Sequence, residues 1–199
     1  MGKTFRVVVC GTKECGKTSI IERAIYNKAG PFPSTVEDIY VANVENDRGL
    51  EEQIRIYDTA GIDPKSLSLK EDLPRHLFPH ADGYILVFSL DDEASFQVVD
   101  VIRKEVELHH KENPKKDLVL VVVGNKKDLT QQRQVETVQA LNWAAREKVK
   151  YFEVSASERS SLFEPFVYLS SKLSPPHGKS SFTQLTMGRS SKQHSKGSE

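Results

Sequence analysis

Apolar runs alternate with amphipathic stretches over most of the chain, the pattern of a mostly parallel sheet covered by helices. Residues 5–10 read as a buried strand. Residues 17–27 place Ile20, Ile21, Ala24 and Ile25 on one face of a helix. Residues 39–44 and 53–57 alternate apolar with polar positions, and Asn46, Asp47, Arg48 and Gly49 between them signal a hairpin. Residues 84–90 and 118–124 are continuous apolar runs, which predicts central strands covered on both faces. Residues 95–110, 135–147 and 161–173 have helical patterning, and 151–154 reads as a last short strand. The expected architecture is α/β: a six-stranded, mostly parallel sheet with one antiparallel edge strand and about five helices on both faces.

The pattern stops at residue 173. From Ser174 the chain turns to Ser, Lys, Gly and Pro, too few apolar groups to offset the entropy of ordering. Residues 1–173 are therefore read as one domain and 174–199 as a disordered Ser/Lys-rich tail, in which Phe182, Thr183, Gln184 and Leu185 are the one candidate docking motif. A length of 199 residues fits a single core. Net charge is zero, with four basic residues and one acid in the tail. That leaves the tail at +3 and the body at −3, not the concentrated basic face of a nucleic-acid binder. Two cysteines and no leader pattern point to the reducing cytosol. No apolar run approaches the roughly 20 residues of a membrane helix. Arg6 breaks a myristoylation signal and the last residues hold no prenylated cysteine. The expected protein is cytoplasmic, monomeric and without its own membrane anchor.

Chemistry enters at Gly11-Thr-Lys-Glu-Cys-Gly16-Lys17-Thr18. It matches the P-loop pattern and lies between a predicted strand and helix, as a P-loop NTPase fold requires. Backbone N–H groups of such a loop and of the helix N-terminus wrap phosphates, and only glycine permits the closest approach. Gly11, Lys13, Glu14, Cys15, Gly16, Lys17, Thr18 and Ser19 form the expected phosphate-binding set. Lys17 is expected to reach the β- and γ-phosphates, and the Thr18 hydroxyl to ligate Mg²⁺. Asp58-Thr-Ala-Gly61 follows a strand, which puts an acid beside the P-loop where it can hold the Mg²⁺ shell. Gly61 lets its N–H approach a γ-phosphate. Asn125-Lys-Lys-Asp128 follows another strand. Asp128 can accept from both the ring N–H and the exocyclic amine of guanine, a donor pair adenine lacks. Asn125 is expected to brace this loop against the P-loop, and the Lys126 stem to lie along the base. Ser155 and Ala156, in Glu153-Val-Ser155-Ala156, are expected to offer backbone donors to the guanine oxygen. The cofactors implied are GTP or GDP with Mg²⁺.

In that order these motifs resemble the Ras superfamily of small GTPases over residues 5–173. The resemblance implies that Thr35 is the switch I residue that closes onto Mg²⁺ and the γ-phosphate. Three positions depart from the family. Lys13 and Glu14 stand where loop glycines are usual, and Ile62 stands where a glutamine orients the attacking water. Ile62 has no donor or acceptor, and Lys13 occupies the space an arginine finger needs. A long-lived GTP state is expected, unless Lys13 swings in and supplies positive charge itself. Pro64, Pro74 and Pro79 keep any helix in switch II short, and this irregular segment reads either as a partner surface or as a tolerated insertion. Tyr26 and Phe32 are the two aromatic candidates for stacking on the base.

The runs at 35–49, 78–83, 93–97, 132–135, 164–166, 171–176 and 179–182 are similar to the kappaB-Ras subfamily, the NF-kappa-B inhibitor-interacting Ras-like proteins. That resemblance implies IkappaB-type inhibitor proteins as partners whose degradation is slowed, and a link to Ral regulators. Two other functions fit the same motifs: a cycling GTPase whose partner supplies the missing catalytic groups, and a pseudo-GTPase scaffold that works with any nucleotide. Among residues outside the motifs, Cys10 is expected to be buried and Cys15 more exposed in the loop. Trp143 is expected in the core, and His109 and His110 on a solvated face.

Overall fold

The computed structural model describes residues 4–66, 68–114 and 117–175. Six strands form one sheet: β1 (Thr4–Gly11), β2 (Glu37–Glu45), β3 (Glu51–Thr59), β4 (Gly83–Ser89), β5 (Val119–Asn125) and β6 (Lys150–Glu153), in the spatial order β2-β3-β1-β4-β5-β6. Only the β2–β3 pair is antiparallel, with Glu45 opposite Glu51 beside the turn. The Asn46 carboxamide oxygen accepts from the N–H groups of Arg48 and Leu50, and Gly49 takes a positive φ of 71°. These bonds close the hairpin that the sequence signals.

Strand alternation divides the core in two. Val8, Cys10, Leu86 and Phe88 point to one face, while Val7, Val9, Ile85 and Val87 point to the other. On the first face pack α2 (Glu93–Glu112) and α3 (Thr137–Glu147), through Phe96, Val99, Ile102 and Trp143. On the second lie α1 (Lys17–Tyr26) and α4 (Phe163–Leu173), through Ile20, Ile21, Phe166 and Leu169. Among the described residues there are four α-helices rather than about five. The segment between β3 and β4 forms turns and one short 3₁₀ turn at Phe78–His80, with Pro79 in its first turn. Pro64 and Pro74 would each remove a hydrogen bond from a longer helix here, and Pro79 is tolerated only in a first turn, which accounts for the missing helix. This segment is nonetheless held to the body: Leu73 and Phe78 enter the first core cluster, and Lys70 and Arg75 both pair with Glu105 of α2 at 2.7 and 2.6 Å.

The parallel order brings the carboxyl ends of β1, β3, β4, β5 and β6 to one end of the sheet. All the sequence motifs follow those ends. No helix among the described residues is long and apolar enough to cross a membrane. Apart from Ser174 and Pro175, the predicted tail, including residues 182–185, lies outside the described residues.

Candidate functional site

The P-loop joins β1 to α1. Gly16 sits at φ 94°, and a Cβ there would lie 2.1 Å from the Asn125 Nδ2, so only glycine fits between the two loops. Lys17 is buried, and its ammonium donates to the carbonyls of Gly11 and Thr12 at 3.3 and 3.0 Å, lying across the concave side of the loop. Lys13, Glu14, Gly16, Lys17, Thr18, Ser19, Thr35 and Gly61 line one cleft of about 480 Å³. Cys15 departs from expectation. Its side chain turns inward beneath Gly11 and is fully buried in the second core cluster. Burial pushes the thiols of both cysteines up, that of Cys10 to about 12, which leaves them protonated and inert.

Three oxygen side chains converge at the end of β3. The Thr18 hydroxyl donates to Asp58 Oδ2 at 2.6 Å and lies 2.9 Å from the Thr35 hydroxyl, which reaches the same Oδ2 at 3.4 Å. Asp58 Oδ1 is buried without a hydrogen-bond partner. Burial pushes the Asp58 carboxyl up from its ordinary value, against the Thr18 hydrogen bond and the nearby Lys17 charge. An orphaned carboxylate oxygen beside two hydroxyls is a hard-donor set that fits Mg²⁺. Among the described residues no group of three or more His, Cys, Asp or Glu side chains forms an alternative metal cage.

The segment after β3 is tied back to the P-loop. Lys13 N–H donates to the Ile62 carbonyl at 3.0 Å, and Ile62 N–H donates to the Gly11 carbonyl at 3.1 Å. A Cβ on Gly61 would meet the Lys13 Cα at 2.5 Å, so glycine is required by the loop itself as well as by any phosphate. With this bridge the Ile62 side chain, 3% exposed, lies in the first core cluster, which also holds Leu73 and Phe78. The Lys13 ammonium lies 3.6 Å from Asp63, with 64% of its side chain exposed.

At the end of β5 Asn125 is buried and bridges three loops. Its Nδ2 donates to the Cys15 carbonyl at 2.9 Å, and its Oδ1 accepts from Ala156 N–H at 3.1 Å. This is the brace the sequence predicts. Asn125→Ala leaves two buried partners unsatisfied and is expected to lower stability by about 2–4 kcal/mol, a loss that urea denaturation reads directly. Asp128 Oδ1 accepts a short hydrogen bond from the Ser155 hydroxyl. The backbone donors expected of Ser155 and Ala156 are engaged within the protein, the first by the Ser161 hydroxyl and the second by Asn125. What this loop presents to Asp128 is therefore the Ser155 side chain.

Of the two aromatic candidates, Tyr26 packs against Tyr40 with ring centroids 6.3 Å apart, while Phe32 lines the same cleft as Lys13, Lys17 and Thr35. Trp143 is buried as expected. His109 is half-buried with its ring 5.7 Å from that of Phe78, because the 3₁₀ turn packs against α2 there. Sequence reasoning passed over Asp91, which follows β4 and pairs with Lys126 at 3.2 Å.

Residues 6–174 match the profile of the Ras family. NF-kappa-B inhibitor-interacting Ras-like protein 2 of Homo sapiens is 48% identical over 185 residues, covering 92% of this chain and 93% of its own length. The corresponding protein 1 of Mus musculus is 45% identical, with 92% of each chain covered. A Drosophila melanogaster relative named NF-kappa-B inhibitor-interacting Ras-like protein is 39% identical, covering 98% of this chain and 96% of its own.

Proposed function

The chain belongs to the Ras family, among the NF-kappa-B inhibitor-interacting Ras-like proteins, and on that premise we propose a guanine-nucleotide switch that rests mostly in the GTP state. In this reading it regulates NF-kappa-B signalling by binding IkappaB-type inhibitor proteins and preventing their degradation, with Ral regulators as a second class of partner. Residues 1–173 are the nucleotide-binding domain. The protein acts as a monomer in the cytoplasm.

The single observation that carries the nucleotide reading is the convergence of Thr18, Thr35 and the half-satisfied Asp58 beside the Lys17 loop. Mg²⁺ bound there neutralises phosphate charge. Lys17 and the N–H groups of residues 14–18 cradle the phosphates, Thr18 and Asp58 hold the metal shell, and Thr35 closes switch I over it. Asp128 selects guanine, with Lys126 along the base and Asn125, Ser155 and Ala156 holding the loops in register.

Retention of GTP is supported by Ile62. Its side chain is committed to the core and carries no polar atom, so nothing at that position orients a water for in-line attack. The nucleotide extracted from protein purified from cells and separated by chromatography is expected to be mostly GTP. Mostly GDP would overturn the GTP-retaining reading and favour a cycling GTPase. Binding of a purified IkappaB-type inhibitor by the GTP-loaded chain tests the partner assignment, and no measurable complex at micromolar concentrations would reject it.

A further inference from the structure

The turn after β4 is unusually well tied for a loop. Ser89 N–H donates to the Ser95 hydroxyl at 2.9 Å, and Leu90 N–H donates to the Asn125 carbonyl at 2.9 Å. The Leu90 carbonyl accepts from Gln134 and Val135, and Asp92 caps α2 by accepting from Ala94 N–H at 3.0 Å. Asp91 is fixed in the middle of these bonds. One of its carboxylate oxygens accepts a short hydrogen bond from the Ser89 hydroxyl, and the other lies 3.2 Å from the Lys126 ammonium. The side chains of Asp91 and Lys126 are 16% and 32% exposed, so the pair is partly shielded from water. Lys126 itself sits at φ 64°, a left-handed conformation that non-glycine residues adopt only when their surroundings impose it.

We propose that Asp91 is a positioning residue, which holds the Lys126 side chain along the base site before the nucleotide arrives. The inference rests on the guanine-binding reading of Asn125, Lys126 and Asp128. A free lysine has four side-chain torsions to immobilise on binding, and ordering them then subtracts from affinity. With the ammonium tethered to a rigid carboxylate, that ordering is complete in the empty site, and the aliphatic stem is already laid out as a surface for the base. Although burial pushes the Asp91 carboxyl up, the Ser89 hydroxyl and the Lys126 charge together hold it below its ordinary value. It therefore stays a charged anchor at neutral pH.

The test is a double-mutant cycle read by the release of fluorescent N-methylanthraniloyl-GDP in saturating Mg²⁺. Asp91→Asn keeps an oxygen for the Ser89 hydroxyl but loses the charge that holds Lys126, and is expected to release the nucleotide about three- to tenfold faster. In a Lys126→Met background the same substitution is expected to change release less than twofold, because the residue through which Asp91 acts has gone. Equal release from wild type and Asp91→Asn would overturn the inference. So would the same acceleration in both backgrounds, which would mark Asp91 as a structural support of the loop only. If the wild-type protein retains no fluorescent nucleotide at all, the guanine reading fails and the inference falls with it.

Discussion

Asp128→Asn is expected to weaken GTP binding by about 10⁴-fold while leaving the fold intact. In the proposed base site the carboxylate would offer two acceptor oxygens to two donors on the guanine edge, its ring N–H and its exocyclic amine. Asparagine replaces one acceptor with a donor, so an N–H of the protein faces an N–H of the base. Sites built to hydrogen-bond a ligand reject one that breaks the pattern by about 10⁴–10⁵. The Ser155 hydroxyl still finds an amide oxygen at position 128, so the loop keeps the bond it has in the native protein. Xanthine carries an oxygen where guanine carries the amine, so the variant is expected to bind xanthosine triphosphate instead. Competition between the two triphosphates for the purified variant measures this directly. GTP affinity within tenfold of the native protein would remove Asp128 from the base site.

The parts of this site that were legible before the structure share one property: each is a short contiguous segment whose chemistry depends on local spacing. Gly11 to Thr18 encodes its loop in eight consecutive residues, and 125–128 follows a strand that is apolar throughout, so motif and placement are read together. Strands β1, β4 and β5 were legible because burial on both faces leaves few polar residues in them. What escaped depends on the direction of a side chain. Cys15 was expected to be exposed because loop residues usually are, but the turn aims it under Gly11 into the core. The sequence shows that Ile62 lacks polar atoms; only the Thr12–Ile62 bridge shows that it faces away from the cleft. Asp91 was invisible because one acid in the run Asp91-Asp92-Glu93, beside the Asp92 cap, carries no pattern of its own. Its meaning comes from Lys126, 35 residues further along the chain.

The direction of Ile62 leads to the second large effect. An activating protein with an arginine finger accelerates ordinary family members by about 10³–10⁵, and here its addition is expected to raise single-turnover hydrolysis of γ-labelled GTP less than tenfold. Two obstacles act together: the side chain at position 62 orients no water, and Lys13 lines the cleft. Its ion pair with Asp63 is exposed and screened by solvent, so Lys13 is movable, whereas Ile62 is not. Ile62→Gln alone is therefore expected to fail as a rescue. The backbone bonds of residue 62 to Gly11 and Lys13 accompany a side chain buried in the first core cluster, and burying an amide there is expected to lower stability by about 2 kcal/mol or more. Lys13→Gly alone opens the cleft but leaves the water unplaced. Acceleration by 10³ or more in the native protein would show that Lys13 or a residue beyond the cleft already does the work of the missing glutamine. If only the double variant Lys13→Gly, Ile62→Gln gained activator sensitivity, the glutamine must have left the core. The bridge at residue 62 would then be a movable switch, not a fixed strut.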